Sequence, residues 1–236
     1  MSLIQTPWTS QPQQAVGIDW SNPITRGLVR AFLPTSGEVI VTPNGVAGLF
    51  LDQPLTLAES DALANSGTLL TSLFYKAYPP AWKIMAGVYH YIGTTNQSQI
   101  ELISSNTTGA RRANIRTNTG TVYGSNIQVP SLNSPIFTGL KWTDRTGATG
   151  TFIEGSTTYA MADGAGTWLH QGVNRYVTVG LSGSVYATHL FVWNRALSDA
   201  EISSVRRNPW QIFKPIPRRI FVPVATGGGT TAVTAD

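Results

Sequence analysis

The sequence predicts an all-β fold, an antiparallel β-sandwich with one short helix near the C-terminus and extended segments at both ends. About a dozen short segments rich in β-branched and aromatic residues recur at the roughly 8–12-residue spacing of a sandwich. Asn-, Gly- and Thr-rich turns separate them. Only one stretch carries a full set of helix signals. The chain has 236 residues, which fits one such domain with terminal arms, since a sandwich of about 200 residues folds as a single unit.

Residues 1–35 are predicted to form an N-terminal arm. Four prolines break any helix in this segment and remove hydrogen-bond donors from any strand. Trp8 and Trp20 also lie here. Large apolar groups in an irregular arm need a cover, which is either the protein's own sandwich or a neighbouring subunit. Within the arm, residues 24–32 are a candidate for the first strand.

Residues 36–207 are predicted to form the sandwich itself. The sequence Pro43-Asn44-Gly45 is a turn between early strands, and Glu154-Gly155 is the turn of a later hairpin. The predicted strands cover residues 38–41, 49–51, 55–57, 68–77, 83–92, 99–104, 113–117, 121–123, 134–143, 150–153, 176–181 and 185–193.

A short helix is predicted directly after the last strand, residues 185–193. Ser198 stands three residues before Glu201, which is the spacing of a capping box. Leu197 and Ile202 occupy the two positions of a hydrophobic staple across the same helix start. All of these local signals place the beginning of the helix at Ser198.

The end of the helix is predicted at Asn208. Arg206 and Arg207 favour the negative end of the helix dipole. Asn208 is predicted to take a left-handed conformation, and Pro209 cannot continue the helix. Residues 208–236 then form a tail whose first part alternates bulky apolar residues with prolines, so it is extended and cannot lie in a central strand.

A basic cluster spans the helix end and the tail. Five of the sixteen basic residues fall here with no acidic residue among them, and such a cluster attracts an anionic partner. Single-strand binders interleave basic residues with stacking aromatics, whereas here the aromatics alternate with prolines. We therefore favour a solvated tail or a protein partner and do not expect nucleic acid. The five residues are Arg206, Arg207, Lys214, Arg218 and Arg219.

No motif for catalysis is found in the sequence. It has no G-x-S-x-G elbow, no phosphate-binding glycine motif and no strand with the paired carboxyl groups that glycoside hydrolysis needs. The absence of cysteine excludes disulfides, thiolate zinc sites and a cysteine nucleophile. His90, His170 and His189 lack metal-ligand spacing, so packing is their favoured role. We expect no enzyme activity and no catalytic, cofactor-binding or metal-binding residues.

The aromatic residues leave two interpretations open. Seven aromatic residues would suit a platform on which sugar rings stack: Trp82, Trp142, Trp168 and Trp193, together with Tyr89, Tyr91 and Tyr159. Amphipathic aromatics equally fill sandwich cores and subunit interfaces. Core or interface is the favoured interpretation, with Trp142 and Trp168 kept as candidate glycan contacts.

Three stretches of the sequence resemble a known family. WNRALSDAEI, residues 193–202, resembles the closing motif of concanavalin A-like, laminin-G-like jelly-roll domains. The opening PWTSQPQQAVGIDWSNPITRGLV and the later NPWQIFKP resemble the ends of laminin-G-like proteins of tailed bacteriophages. Many laminin-G-like sequences carry an acidic pair for calcium where this chain has Thr188 and His189, so the resemblance implies no calcium site here.

The resemblance implies a structural protein of a tailed-phage virion, such as a head decoration, a head fibre or a tail or baseplate component. We expect it to be assembled in the host cytoplasm, since the N-terminus lacks the pattern of a secretory signal and no stretch approaches the ~20 apolar residues of a membrane span. Other virion proteins are the expected partners, and a homotrimer is the expected oligomer. The alternative is a carbohydrate-binding module or adhesin for a host surface glycan. The predicted docking residues are Trp8, Trp20, Trp210, Phe213 and Phe221.

Overall fold

The computed structural model of the chain describes a large part of its residues. Contacts divide the chain into two compact units. The terminal unit comprises Met1–Arg26 and Arg207–Asp236, and the sandwich unit comprises Gly27–Arg206. The described residues are 16–32, 39–42, 45–49, 55–58, 66–78, 83–92, 95–104, 111–116, 121–123, 132, 134–143, 150–161, 174–179, 185–216, 219–220 and 233–234.

Strands make up nearly all the regular structure of the described residues. In chain order they are β1 (Val16–Ile18), β2 (Leu28–Phe32), β3 (Val39–Thr42), β4 (Gly45–Leu49), β5 (Leu55–Ala58), β6 (Gly67–Tyr75), β7 (Lys83–Ile92), β8 (Thr95–Ser104), β9 (Arg111–Arg116), β10 (Thr121–Tyr123), β11 (Pro135–Trp142), β12 (Gly150–Glu154), β13 (Thr157–Ala160), β14 (Asn174–Val179), β15 (Val185–Trp193), β16 (Phe213–Pro215), β17 (Arg219–Ile220) and β18 (Val233–Thr234). The α-helix α1 is Asp199–Arg207, and 3₁₀ turns cover Pro23–Thr25 and Pro209–Ile212.

Two six-stranded antiparallel sheets form the sandwich unit. The first sheet has the strand order β10-β9-β8-β7-β14-β5, and the second has the order β13-β12-β11-β6-β15-β2. The two sheets pack on each other, with β11 against β8 and β12 against β9. The prediction of an all-β antiparallel sandwich with one short helix is therefore confirmed.

The second sheet is buried on both of its faces around the neighbouring strands β6 and β15. Along β6 every residue except Ser72 is buried. On β15, Val192 lies on one face and Phe191 and Trp193 lie on the other, yet all three are buried. Burying each such large side chain contributes about 1.5–3 kcal/mol to the free energy of unfolding, so this strand pair is a main source of stability.

A tight turn leads from β12 into β13 at the edge of the second sheet. Gly155 has a φ of 56°, in the left-handed region that glycine enters at little cost. Its N–H donates to the carbonyl oxygen of Phe137 at 2.8 Å. The predicted hairpin around Glu154-Gly155 is present at this turn.

Strand β2 lies at the opposite edge of the same sheet, within the range that we expected to be an arm. Its residues pair with β15, and the register shifts between Val192 and Trp193. Gly27, with a φ of 73°, starts the strand, and its carbonyl oxygen accepts the N–H of Asn194 at 2.8 Å. The expected first strand within residues 24–32 thus becomes an edge strand of the sandwich.

The two ends of the chain are joined to each other in the terminal unit. Strand β1 pairs antiparallel with β16, with Ile18 opposite Phe213. The Asp19 N–H donates to the carbonyl oxygen of Ile212 at 2.8 Å, and the Asn22 side-chain amide donates to the carbonyl oxygen of Gln211 at 3.0 Å. These segments were predicted from the sequence as separate arms, and their pairing was not predicted.

Asn208 does not take the left-handed conformation that the sequence analysis expected. Its φ is −148° and its ψ is 86°. The following Pro209 excludes compact backbone conformations at the preceding residue by steric contact. Instead, the Asn208 side chain accepts the N–H of Trp210 at 3.1 Å and so caps the next 3₁₀ turn. The prediction that the α-helix ends before Pro209 is confirmed.

No helix in the described part of the chain is both long and apolar enough to cross a membrane.

Candidate functional site

The WNRALSDAEI motif builds a closed hydrogen-bond network at the start of α1. Arg195 donates two bonds to the Glu201 carboxylate, at 3.0 and 2.6 Å. The Ser198 N–H donates to the same carboxylate at 2.8 Å, and the Glu201 N–H donates to the Ser198 hydroxyl at 3.3 Å. The hydrogen bonds from Arg195 lower the pKa of Glu201 to about 2 despite partial burial, and the Ser198 bonds assist. The predicted capping box is confirmed, and its carboxylate is occupied by structural partners.

The same segment is tied to the second sheet through Thr68. The Thr68 hydroxyl donates to the carbonyl oxygen of Arg195 at 3.0 Å and accepts the N–H of Leu197 at 2.9 Å. Lys141 adds an ion pair to Asp199 at 2.7 Å. These contacts hold α1 on the sheet, and they leave this motif with a structural role.

His189 lies in the core of β15. Its ring stacks on Phe191 with centroids 4.5 Å apart, and Phe137 lies 6.5 Å away. The side-chain Nδ1 is 2.9 Å from the Thr188 hydroxyl. Burial lowers the pKa of the imidazole to about 3, because the charged form would lose its hydration at this buried position. The expectation that this histidine is a packing residue agrees with its surroundings.

Trp142, a candidate glycan contact, is a core residue in this structure. It is 3% exposed and stands opposite Gly67 in the β11–β6 register. A Cβ atom on Gly67 would come within 2.0 Å of the indole Cζ2, so the ring lies directly over the glycine. A ring buried in this way offers no face to a sugar.

The predicted docking residues have different environments in the terminal unit. Trp20 is 66% exposed, on a turn where the Ser21 hydroxyl donates to the Asp19 carboxylate at 2.6 Å. Trp210 is half-buried, and Phe213 is buried within β16. Trp20 therefore has the accessibility that docking needs, whereas Phe213 packs within the protein. Trp8, Phe221 and the other candidate glycan contact, Trp168, lie outside the described residues.

The register of the first sheet assigns its residues to two faces. Leu102 on β8 and Ala113 on β9 are partners, and both are buried. Because residues two apart in a strand share a face, this pair marks the inner face, which packs on the second sheet. The residues that alternate with these inner positions along each strand lie on the other face, which we call the outer face. The middle of the inner face is apolar throughout, with Leu55, Leu57, Ala86, Val88, Ile100, Leu102, Ala113, Ile115, Val122, Val177 and Val179.

The outer face has a different composition, with polar and aromatic residues in register across the strands. One line of cross-strand neighbours, which we call the arginine–tyrosine row, crosses the whole sheet. From β10 to β5 it consists of Thr121, Arg116, Gln99, Tyr89, Tyr176 and Ala58. Strand neighbours are about 4.8 Å apart, so the four central residues span about 14 Å.

A second line of neighbours, which we call the glycine row, runs beside it. From β10 to β5 it consists of Tyr123, Asn114, Glu101, Gly87, Thr178 and Thr56. Gly87 is two positions from Tyr89 on the same strand. A glycine inside a strand often marks a bulge, a tight bend or a place where a ligand or another backbone approaches closely, and the β7–β8 register shifts between Ile84 and Ala86. The outer face thus combines an aromatic pair, a position without a side chain, and flanking amide, hydroxyl and guanidinium groups.

These residue types suit sugar recognition. An aromatic ring presents an apolar face with a polar edge, and amide or guanidinium groups offer several hydrogen-bond donors to hydroxyl or acidic groups. Among the described residues, no group of three His, Cys, Asp or Glu side chains is arranged to hold a metal ion. Stacking and hydrogen bonding are the interactions that the residue types of this face offer to a ligand.

Tyr89 and Tyr91 were among the aromatic residues predicted from the sequence, whereas Arg116, Gln99 and Tyr176 were not predicted as site residues. The alternation of each segment was readable from the sequence. The sequence did not show which strands pair, because β14 lies between β7 and β5 in the first sheet, and both of these strands come earlier in the chain.

No protein-family model matches the chain, and a search of curated proteins finds no relative of it. Solved structures do resemble it. The first is a Trypanosoma rangeli sialidase in complex with a 2,3-difluoro-KDN compound, with a TM-score of 0.55, 16% identity, 80% of this chain covered and 33% of the sialidase covered. The chain thus spans about a third of the sialidase's length.

A carbohydrate-binding module, CBM40 of the Ruminococcus gnavus IT-sialidase, is matched over almost its full length. With α2,3-sialyllactose bound, it has a TM-score of 0.54 and 14% identity, with 76% of this chain and 99% of the module covered. With α2,6-sialyllactose bound, the values are 0.53, 16%, 76% and 100%. At these low identities the structural similarity establishes the β-sandwich fold alone. The laminin-G-like resemblance is therefore supported only in respect of the fold.

Proposed function

We propose that this chain is a non-catalytic carbohydrate-binding module that recognises a surface glycan through the outer face of its first sheet. The observation that carries the proposal is the arginine–tyrosine row, in which Tyr89 and Tyr176 are cross-strand neighbours beside Gln99 and Arg116. The near-complete coverage of CBM40 supports the choice of a binding module over an enzyme.

The binding step would combine stacking with hydrogen bonding. Tyr89 and Tyr176 would receive the apolar face of a sugar ring, and Gly87 would let the sugar approach the backbone of β7. Gln99 and Asn114 would donate to ring hydroxyls. Because these residues lie on neighbouring strands of one hydrogen-bonded sheet, the site would be formed before the ligand arrives, which reduces the entropy cost of binding.

A glycan array followed by titration calorimetry tests the proposal. The wild-type chain should bind a defined set of oligosaccharides, and Tyr89→Ala and Tyr176→Ala should each weaken binding roughly five- to tenfold, since each loses a ring-stacking contact. Tyr78→Ala is the matched control, because Tyr78 is an exposed tyrosine outside the first sheet, 38% accessible. If no glycan is bound, or if Tyr78→Ala weakens binding equally, the outer face is not the site.

The non-catalytic part of the proposal needs its own measurement. Incubating the chain with each bound oligosaccharide and analysing the mixture by chromatography should recover the oligosaccharide intact. Release of a monosaccharide by the purified wild-type chain, and not by a heat-denatured sample, would show that the chain is an enzyme.

A second candidate function is the virion structural role, and the exposure of Trp20 favours it. Trp20 is 66% exposed, and tryptophan is among the residue types enriched at the hot spots of protein interfaces. In this case Trp20 would contact another virion protein or another copy in a homotrimer assembled in the host cytoplasm. Trp20→Ala should then reduce incorporation into virions and shift the sedimentation coefficient toward the monomer, while Tyr78→Ala should do neither. Unchanged incorporation and sedimentation for Trp20→Ala would contradict this role.

A further inference from the structure

We propose that the bound glycan is acidic and lies across the strands, with its carboxylate or sulfate at Arg116 and its neutral sugars toward Tyr89 and Tyr176. This inference rests on the proposed function and adds the ligand class and the direction in which the ligand lies.

The first step is the distribution of charge on the outer face. The charged residues of the two rows and of the adjoining outer positions of β9 are Arg112, Arg116 and Glu101, on the neighbouring strands β8 and β9. In the same rows, β7, β14 and β5 contribute glycine, tyrosine, threonine and alanine. One half of the face is therefore charged with an excess of arginine, and the other half is uncharged and aromatic.

The second step is the neighbourhood of Arg116. Its register partners are Thr121 on β10 and Gln99 on β8, so a hydroxyl-bearing residue and an amide-bearing residue are its neighbours in the row. Arginine presents a planar fork that matches a carboxylate or sulfate with two parallel hydrogen bonds. Glu101 belongs to the glycine row, diagonal to Arg116, and so it does not occupy the position directly beside it.

Arg112 provides an internal comparison on the same strand. It shares the outer face with Arg116, but its partner on β8 is Ile103. It therefore lacks the amide on that side and stands outside the arginine–tyrosine row. The geometry selects Arg116 as the anion-binding residue.

The third step is the distance that a ligand must span along the row. Arg116 and Tyr176 are separated by three strand spacings, or about 14 Å. A single sugar ring cannot reach from the guanidinium to the tyrosine pair, whereas an oligosaccharide with an acidic end can. Stacking at one end and charge pairing at the other fix the ligand perpendicular to the strands. The chain's net charge of +4 adds a long-range attraction for an anionic ligand.

The test compares three ligands that share one neutral core: lactose, α2,3-sialyllactose and 3′-sulfolactose. Wild-type protein should bind at least one acidic ligand roughly tenfold or more tightly than lactose. Arg116→Gln should remove that preference, and Arg116→Lys should restore only part of it. Arg112→Gln, the matched control, should retain the preference. The ranking of the two acidic ligands tells carboxylate from sulfate.

The outcomes separate this inference from the proposed function. If wild-type protein binds lactose and the acidic ligands equally, and Tyr89→Ala weakens all of them, the face binds glycans but the acidic assignment is wrong. If Arg116→Gln and Arg112→Gln reduce the preference equally, the assignment to Arg116 is wrong. If no oligosaccharide binds to the wild-type protein, both proposals are wrong. Circular dichroism and thermal melts of each variant establish that it is folded.

Discussion

Mild acid should destabilise the sandwich through His189. The imidazole is 1% exposed and stacked on Phe191, and burial lowers its pKa to about 3 from the ordinary value of 6.5. Between these two values the unfolded chain binds a proton that the folded chain does not. The stabilising contribution is therefore complete above pH 6.5 and is lost as the pH falls toward 3.

The magnitude at pH 5 depends almost entirely on the unfolded state. The folded imidazole is neutral there, and an unfolded histidine with a pKa of about 6.5 is mostly protonated. Relative to pH 7, the linkage removes about 2 kcal/mol from the free energy of unfolding at pH 5. The same loss of free energy is expected for any pKa of the folded imidazole below about 4, because the folded imidazole is then neutral at pH 5.

Urea unfolding at pH 7 and pH 5 measures the effect when wild type is compared with His189→Leu. The variant has a non-titrating side chain of similar size, so the contributions of the other titrating groups cancel in the difference. The stability difference between the two proteins should change by about 2 kcal/mol between the two pH values. A change below about 0.5 kcal/mol, which is within the usual error of additive comparisons, would refute the reasoning.

Three further predictions concern single residues of the sandwich unit. Gly67→Ala should lower the free energy of unfolding by about 1–3 kcal/mol, because the new Cβ meets the Trp142 ring at 2.0 Å; a thermal melt equal to wild type would show that the ring can move. In Gly155→Ala no atom lies within 4 Å of the new Cβ, but the residue keeps a φ of 56°. We therefore expect the free energy of unfolding to fall by about 1–2 kcal/mol from backbone strain alone. A larger loss of stability for Gly155→Ala than for Gly67→Ala would contradict this prediction. Glu201→Gln should reduce stability at pH 7, since it removes the ionised partner of Arg195. It should also flatten the pH dependence of stability between pH 4.5 and pH 2. If urea unfolding gives the same pH dependence as for wild type, the stabilising role of the Arg195–Glu201 pair is contradicted.

The glycan proposal changes which residues matter for function. The sequence directed attention to tryptophans, and Trp142 is in the core with 3% of its surface exposed. The register instead brings Arg116, Tyr89 and Tyr176 into one row. None of these is part of the WNRALSDAEI motif, which is engaged in holding α1 on the second sheet. The family-like motif and the candidate binding face are therefore separate parts of the sandwich unit.

The sequence by itself determined the features that depend on neighbours in the chain. The capping box from Ser198 to Glu201 formed as predicted, because its partners are three residues apart and need no tertiary contact. Strand β15 has the predicted bounds Val185–Trp193, since its β-branched and aromatic residues continue without a break. Even locally, the prediction for Asn208 was wrong, because a proline restricts the residue before it more strongly than a helix end favours the left-handed conformation.

Only the tertiary structure decided which distant residues became neighbours. Tyr176 stands beside Tyr89 because β14 pairs with β7, and Trp142 is buried because β11 pairs with β6 and places it over Gly67. The ends of the chain also meet, in the pairing of β1 with β16. Strand order is set by the burial of whole faces and by loop closure across long stretches of chain, and neither quantity can be read from the residues of one strand. The sequence therefore determined the strands and their faces, and the pairing of strands determined which residues share a candidate site.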